Sequence, residues 1–416
     1  MDIELLLYLI DIQLNMQILP NYCNLTNPVN YMKHQQLLLF SAFFLTFGGL
    51  SAADDIVVAP AAGSDIAAAI SEAKAAHESV GRITVNLAPD ASYTLSASIE
   101  PSAGLIINGN GATIDATALD APFILMSATP SVEIVNDFYR VDSVAVSNIT
   151  VNNMKNSIFY DNNVKYCVVD LTLDNTTLSL ATTAVENEAL ISFKAGGAKD
   201  FTVRNSTIYG NGDVAKYFIR YNNNARLDRY GFDTATDFQT MTYLDNTFYN
   251  LLKSDGQWGN YNGIAGMKYS KFNVQKNIWF DCGKDIIRRM AGGRFNGSNP
   301  MEFAYNTYFN DGEDLSASES GYDKSETILT SNPEFADAAA GNFTIGASTQ
   351  QAQYQTGAPR WLVAYDGSQS AIESIETDNS GLPVEYFNLQ GVRVDNPANG
   401  LFIRRQGSKV SKVIIK

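Results

Sequence analysis

The sequence is poor in the residues that most often build metal and catalytic centres. It holds two histidines, His34 and His77, and three cysteines, Cys23, Cys167 and Cys282. Since His34 lies in a targeting segment, a multi-histidine zinc site is excluded and a histidine-based triad is disfavoured. The cysteines have no metal-ligand spacing. Cys23 precedes the signal-peptide cleavage site predicted below, so two cysteines remain in the mature chain. We predict that both are buried free thiols, and one disulfide between them is the alternative.

Long apolar runs are scarce as well. Residues 37–50 are apolar, follow the basic start Met32-Lys33-His34 and precede small residues, which predicts a signal peptide over 32–53. A membrane span needs about 20 apolar residues, so this run is too short and no later segment replaces it. Residues 1–31 are interpreted as an over-extended gene start, with a disordered leader as the alternative. We therefore expect a secreted protein without a membrane span.

Positive charge is in short supply. The chain has 29 Lys and Arg against 44 Asp and Glu, a formal net charge of −15. Nucleic-acid binding needs clustered basic residues, so we predict no nucleic-acid partner. A polyanionic ligand would need a local basic patch or a bridging cation. The hydrophobic content of 45% and charged content of 18%, with abundant Asn, Ser, Thr and Gly, favour strands and turns.

One phrase recurs through the middle of the chain: a short alternating run, then Asn or Asp, Thr, an apolar residue, and Asn or Gly. It occupies 146–152, 169–175, 203–209, 243–249, 274–280 and 303–309. The shared column reads Thr150, Thr172, Thr207, Thr247, Ile278 and Thr307. Such periods predict a β-solenoid whose Asn and Thr columns form hydrogen-bonded ladders. An antiparallel sandwich or propeller is the alternative, but its hairpins would need shorter connections.

The start of the repeat region predicts a cap. Ser64 can cap a helix over 65–78 that presents Ile66 and Ile70 on one face. Strands are predicted over 82–87 and 93–95, followed by the stretch 105–115. A helix before the first coil would cover the open end of the stack.

These segments carry a family resemblance. Ile83-Thr-Val-Asn-Leu-Ala-Pro and Leu105-Ile-Ile-Asn-Gly-Asn-Gly-Ala-Thr-Ile-Asp resemble the opening of pectin-lyase-like proteins, and 332–337, 341–344 and 357–361 resemble the way secreted bacterial members close. The resemblance covers 55 to about 365. It implies an all-β chain with a right-handed parallel β-helix over 54–365 and an N-terminal capping helix. It also implies contact with polysaccharide; many such domains have no assigned activity.

The C-terminal part has a different composition. Residues 366–383 are rich in Ser, Gly, Asp and Glu and are predicted to be a linker. Short strands are predicted over 384–394, 400–404 and 410–416. This small β tail, 384–416, resembles the sorting tail of type IX secretion, which implies a Gram-negative cell surface or medium; the periplasm is an alternative. The other interpretation is a β-module that caps or docks.

Three insertions, 209–240, 250–270 and 281–300, leave the repeat at the same phase, so they can wall one groove. Their aromatic and basic side chains suit the rings and carboxylates of an acidic sugar. The alternative is that these aromatics face outward from strands and that the arginines pair with acids. The predicted substrate-binding residues are Tyr217, Arg220, Tyr221, Arg226, Trp258 and Tyr261.

The chemistry predicted for this groove is a polysaccharide lyase acting on a uronate-containing glycan. Lys284, Arg288 and Arg289 could supply the base and neutralise the carboxylate. No cofactor is certain, and Ca²⁺ is possible. Non-catalytic glycan binding, as in an adhesin, is the alternative function, and a monomer is expected.

Two further sets of acids could carry chemistry or bind a cation. A hydrolase would need two carboxylates, for which Asp237, Asp245, Asp255 and Asp281 are available. The acidic segment 311–326 lacks EF-hand spacing and is predicted to be a solvated loop.

Overall fold

The computed structural model describes residues 53–101, 103–126, 132–181, 187–210, 215–221, 227–233, 235–252, 270–282, 301–310, 312–314, 323, 325–367, 383–406 and 409–415. The predicted leader, the signal peptide and most of the 366–383 linker lie outside these residues. Helices α1 (Ile66–Ala75) and α2 (Gln350–Tyr354) accompany short 3-10 turns at Ala338–Ala340 and Pro359–Trp361. No helix of the described part is long and apolar enough to cross a bilayer.

Most of the regular structure is β. The first half contains β1 Asp54–Val58, β2 Val80–Asn86, β3 Ser92–Thr94, β4 Gly104–Asn108, β5 Thr113–Asp115, β6 Ile124–Leu125, β7 Ile134–Val135, β8 Phe138–Met154, β9 Phe159–Tyr160, β10 Tyr166–Leu180, β11 Asn187–Ser192 and β12 Gly197–Arg204. The second half contains β13 Thr207–Tyr209, β14 Ala215–Arg220, β15 Gln239–Leu244, β16 Thr247–Tyr249, β17 Ser270–Gln275, β18 Ile278–Phe280, β19 Met301–Ala304, β20 Thr307–Asn310, β21 Glu313–Asp314, β22 Val384–Phe387, β23 Gly400–Gln406 and β24 Lys409–Ile415.

The strands form three ladders of parallel neighbours. The first ladder runs β1-β2-β4-β8-β10-β12-β15-β17-β19. The second runs β3-β5-β8-β10-β13-β16-β18-β20 and shares the long strands β8 and β10 with the first. The third runs β6-β9-β11-β14. The prediction of a mostly-β chain with parallel strands is confirmed. The alternative, an antiparallel sandwich or propeller built from hairpins, is wrong for these three ladders.

A single residue with positive φ turns the chain between the first and second ladders. In β8 and β10 it is Asn148 and Asn175, at φ 51° and 52°. Asparagine tolerates this left-handed conformation better than most residues. Later rungs turn at Asn205, Asp245, Lys276 and Tyr305, with φ between 54° and 55°. The recurring Asn of the repeat is therefore the corner itself at Asn148, Asn175 and Asn205, whereas in the later rungs it follows the corner residue, as Asn246, Asn277 and Asn306.

Side chains alternate across each strand after the corner. Ile208, Phe248, Trp279 and Tyr308 are aligned in register and buried. The Trp279 and Tyr308 rings stack at 5.2 Å between centroids, and the Phe248 and Trp279 rings at 5.5 Å. Stacked rungs thus build one continuous apolar column, because the strand period is two.

A second buried column is polar and lies directly after the corner residues. It consists of Thr176, Ser206, Asn246, Asn277 and Asn306, and the buried Asp323 extends it. Asn246 Nδ2 donates to Asn277 Oδ1 at 2.8 Å, and Asn277 Nδ2 donates to Asn306 Oδ1 at 3.1 Å. Asn306 Nδ2 then donates to Asp323 Oδ2 at 3.2 Å. The predicted Asn ladder is confirmed. The solvated-loop prediction is wrong for Asp323, because this carboxylate is 3% exposed and ends the ladder.

The threonine column differs from the prediction in position and in bonding. Register aligns Thr150 and Thr207 with Thr177, so the prediction of Thr172 is wrong. Thr172 lies before the corner at Asn175, on the first ladder, where it pairs with Ala145 and Thr202. The corner shifts the alternation of the side chains, so Thr177 and not Thr172 joins the second ladder.

The hydroxyls of this column accept hydrogen bonds from a segment far along the chain, 325–367, which we call the closing segment. Trp361 Nε1 donates to Thr207 Oγ1 at 2.7 Å, and the Ala358 N–H donates to Thr247 Oγ1 at 3.0 Å. Arg360 Nη1 donates to Thr177, and Gln351 Nε2 donates to Thr307 at 2.9 Å. The closing segment therefore covers this face of the second ladder.

Three smaller predictions can be compared with the structure. The N-terminal helix forms and buries Ile66 and Ile70, but its cap is Asp65, which accepts from the Ala68 N–H at 2.9 Å; the prediction of Ser64 is wrong. Cys167 and Cys282 are buried thiols that form no disulfide with each other, as predicted. The tail forms three strands, β22 to β24, joined in antiparallel register.

Replacing Gly357 with alanine is expected to lower the free energy of unfolding by about 1–3 kcal/mol. Gly357 has φ +106°, and an added Cβ would lie 2.8 Å from Ile278 Cδ1 and 3.1 Å from Thr247 Oγ1. Urea unfolding would measure the loss. Gly63→Ala is the control, since Gly63 has φ +83° with nothing within 4 Å of a new Cβ. If both variants lost the same free energy of unfolding, the effect would come from the positive φ alone and not from the contacts of the added Cβ.

Candidate functional site

The predicted groove residues divide into two groups. Tyr217 and Arg220 lie on β14 of the third ladder, and Tyr221 follows directly. The others lie outside the residues that the structure describes: Arg226, Trp258, Tyr261, Lys284, Arg288 and Arg289. The site can therefore be built only from the third ladder.

A polar row crosses three strands of this ladder. Tyr160 on β9 pairs with Ser192 on β11, and Ser192 pairs with Arg220 on β14. Residues paired between parallel strands point to the same face, so their side chains are neighbours. We call Tyr160, Ser192 and Arg220 the third-ladder row.

The row combines a partly buried cation with a buried hydroxyl. Ser192 is 2% exposed, and its hydroxyl makes no hydrogen bond within the described part of the chain. Burial lowers the pKa of the Arg220 guanidinium below its ordinary value, although it stays charged at neutral pH. Tyr160 and Arg220 are partly exposed. Such a row can donate hydrogen bonds to a carboxylate or to sugar hydroxyls.

Tyr221 does not belong to this surface. Its side chain is fully buried, and its ring meets Phe193 edge-on at 5.4 Å. Burial and surrounding charges raise the pKa of its phenol. A ring in the core cannot stack on a sugar, so the prediction of Tyr221 as a substrate-binding residue is wrong.

Asp161 anchors the strand ends behind the row. It follows Tyr160, and its carboxylate accepts hydrogen bonds from four backbone N–H groups: those of Asn163, Lys194, Ala195 and Gly196, at 2.7 to 3.2 Å. Desolvation raises the pKa of Asp161, and these N–H groups oppose that shift. The carboxylate fixes the turn that follows Ser192, and so it positions the row.

The first ladder carries an open polar face that the sequence reasoning missed. Its two columns are Asp170, Asp200 and Thr240, and Thr172, Thr202 and Thr242. All six side chains are partly or fully exposed, and the residues between them, Leu171, Phe201 and Met241, are buried. The signal was present as Asp-x-Thr, Asp-x-Thr and Thr-x-Thr at successive rungs.

Hydrogen bonds order this face. Thr172 Oγ1 donates to Asp170 Oδ1, and Thr240 Oγ1 donates to Asp200 Oδ1, each at 2.7 Å. Lys199 Nζ donates to Asp200 Oδ2 at 2.8 Å. Desolvation raises the pKa of Asp170, and the Asp200 carboxylate adds to the shift. Carboxylates and hydroxyls at strand spacing can accept and donate hydrogen bonds to a hydroxyl-rich chain.

The acids considered for a hydrolase serve other purposes where they are described. Asp245 is a corner residue, and Asp237 accepts from the Asp233 N–H at 3.1 Å. Asp281 has φ 51°, and Asp255 lies outside the described residues. Within the described part, no group of three or more His, Cys, Asp or Glu side chains could hold a metal ion.

Comparison with known proteins gives two partial family matches. Residues 83–211 match a model described as "Domain of unknown function (DUF4957)", and residues 241–361 match one described as "Domain of unknown function (DUF5123)". No curated protein and no solved structure matches the chain significantly. The first match spans β2 to β13, and the second spans β15 to Trp361 of the closing segment. The two matches therefore leave residues 212–240 uncovered, and this insertion contains β14 and Arg220.

Proposed function

We propose that this protein is a secreted right-handed parallel β-helix that binds an acidic polysaccharide along its third ladder. The three parallel ladders, with a positive-φ corner between the first and second ladders from β8 onward, support the helix. The resemblance of the chain to pectin-lyase-like proteins supports the ligand class. The observation that carries the ligand proposal is the third-ladder row, in which a partly buried guanidinium lies beside a buried hydroxyl that has no hydrogen-bond partner among the described residues.

The reaction proposed for this site is β-elimination on a uronate. Arg220 would bind the sugar carboxylate, since a guanidinium fork matches a carboxylate bidentately. Lys284, Arg288 or Arg289 would remove the C5 proton next to that carboxylate. The C4–C5 double bond would form as the C4–O glycosidic bond breaks, and the leaving oxygen would take up a proton from the conjugate acid of the base or from water. Incubation with pectin and other uronates, with and without Ca²⁺, should release an unsaturated product that absorbs in the ultraviolet. Binding of uronates without such a product would leave a binding protein and exclude the lyase.

Replacing Arg220 with glutamine is expected to weaken binding to polygalacturonate about tenfold or more, because one partly desolvated charge-assisted pair is lost. Calorimetric titration would measure the dissociation constant. Arg82→Gln on β2 is the matched control, since Arg82 pairs with Asp55 at 2.9 Å on the first ladder. If both variants bind like the original protein, the third-ladder row is not the site.

Non-catalytic binding of a neutral glycan is the second candidate function. The open polar face of the first ladder favours it, because its side chains are hydroxyls and carboxylates without a row of cations. Asp200→Asn should then weaken binding to a neutral polysaccharide such as a soluble glucan, and Arg220→Gln should leave it unchanged. The opposite pattern would indicate that the glycan binds at the third ladder.

A further inference from the structure

Exposed apolar side chains are concentrated in the small C-terminal sheet. Eight large apolar residues are exposed in the described part, and five of them lie within 384–416. Contiguous exposed apolar area on a secreted protein usually marks an interaction surface. The five are Val384 (38% exposed), Leu389 (58%), Val392 (60%), Val410 (61%) and Ile414 (73%).

The same segment reverses the charge of the chain. Residues 384–416 contain six Lys and Arg but two Asp and Glu, a formal charge of +4 in a chain of −15. Both acids are paired within the tail: Glu385 contacts Arg393 at 3.1 Å and Arg405 at 3.8 Å, and Asp395 contacts Arg393 at 3.4 Å. The tail therefore carries a net positive charge that its own acids do not neutralise.

Strand register brings apolar and cationic side chains onto one face. On β24, Val410, Lys412 and Ile414 are exposed, whereas Ser411 and Val413 between them are partly buried. Opposite them on β23 lie Arg405, Ile403 and Leu401, respectively. Residues directly opposite each other in an antiparallel pair share a face. We call these six residues the tail face.

We propose that the tail face docks on an anionic phospholipid bilayer surface. Apolar side chains would enter the boundary between headgroups and acyl chains, and lysine and arginine would meet lipid phosphates. The centre of an ordinary protein–protein interface is depleted in lysine, whereas the tail face has Lys412 between Val410 and Ile414. Charge complementarity therefore favours the lipid surface, independently of any sugar bound elsewhere on the chain.

Co-sedimentation with vesicles tests this docking. The chain from Ala52 to Lys416, which forms one compact unit, should bind vesicles of phosphatidylglycerol and phosphatidylcholine, and bind pure phosphatidylcholine much less. Binding should fall as salt is added. Val410→Asp combined with Ile414→Asp should reduce the bound fraction roughly tenfold or more. Lys412→Gln, which leaves the apolar residues in place, should weaken binding about fivefold.

Ser411→Asp is the matched control, because it adds a charge to the same strand on the opposite face. It should keep the binding of the unmodified chain, and circular dichroism should show that each variant retains its sheet content. Equal binding to neutral and anionic vesicles, or an equal loss in Ser411→Asp, overturns the proposal. Absence of binding to either vesicle also overturns it and assigns the tail face to a protein partner.

Discussion

Replacing Asn277 with leucine is expected to lower the free energy of unfolding by about 3–5 kcal/mol. Leucine fills a similar volume but leaves buried partners without hydrogen bonds. Asn277 Nδ2 donates to the Tyr243 carbonyl at 2.8 Å and to Asn306 Oδ1 at 3.1 Å, and its Oδ1 accepts from the Asn246 N–H at 3.2 Å. Each buried unsatisfied group costs about 1–3 kcal/mol. Chemical denaturation monitored by tryptophan fluorescence would measure the change.

Asn273→Leu is the control for this prediction. Asn273 lies four residues earlier, on β17, is partly exposed and accepts one bond from Gln275 Nε2 at 2.6 Å. Its replacement should cost less than about 1 kcal/mol. If Asn277→Leu proved no more costly, the polar column would contribute nothing beyond its volume, and the rungs would be held by apolar stacking alone.

Replacing Asp161 with alanine is expected to cost a similar amount, about 3–5 kcal/mol, since four backbone N–H groups lose a charged acceptor at once. The N–H of Gly196 is buried, and the other three are only partly accessible to water. Asp161→Asn keeps the shape but turns one acceptor into a donor that faces N–H groups, so it should be nearly as costly. Thermal unfolding of both variants would measure the loss.

Asp120→Ala provides the comparison for Asp161. Asp120 is an exposed aspartate whose carboxylate accepts from Lys155 Nζ at 2.7 Å, and a surface pair of this kind contributes about 0–1 kcal/mol. A small loss in Asp161→Ala, equal to that in Asp120→Ala, would mean that the turn at 194–196 holds without the carboxylate. The third-ladder row would then need another explanation for its position.

Much of the fold could be predicted because the repeat is local information. Short strands with alternating apolar residues and a recurring Asn predicted parallel rungs and an Asn column, and both are present. The phase at β10 could not be predicted. Either Thr172 or Thr177 satisfies an alternating pattern, and only the left-handed corner at Asn175 decides which threonine joins the second ladder.

The candidate site was predicted in part for a similar reason. Composition pointed to Tyr217, Arg220 and Tyr221 as one group, but the five residues from 217 to 221 divide between core and surface. Tyr221 lies in the core against Phe193, whereas Arg220 is partly exposed and pairs in register with the buried Ser192. Ser192 itself carried no signal, since a lone serine in an apolar strand gains meaning only from its neighbours on β9 and β14.

The sequence by itself determined the strand type, the parallel rungs, the N-terminal helix and the buried thiols, because each depends on residues near one another or on a repeated pattern. The tertiary structure alone decided what the threonine column binds. Arg360 lies 183 residues from Thr177, and Trp361 lies 154 residues from Thr207. No local pattern records a contact across such a separation, since it forms only when the stacked rungs present their hydroxyls together to the returning chain.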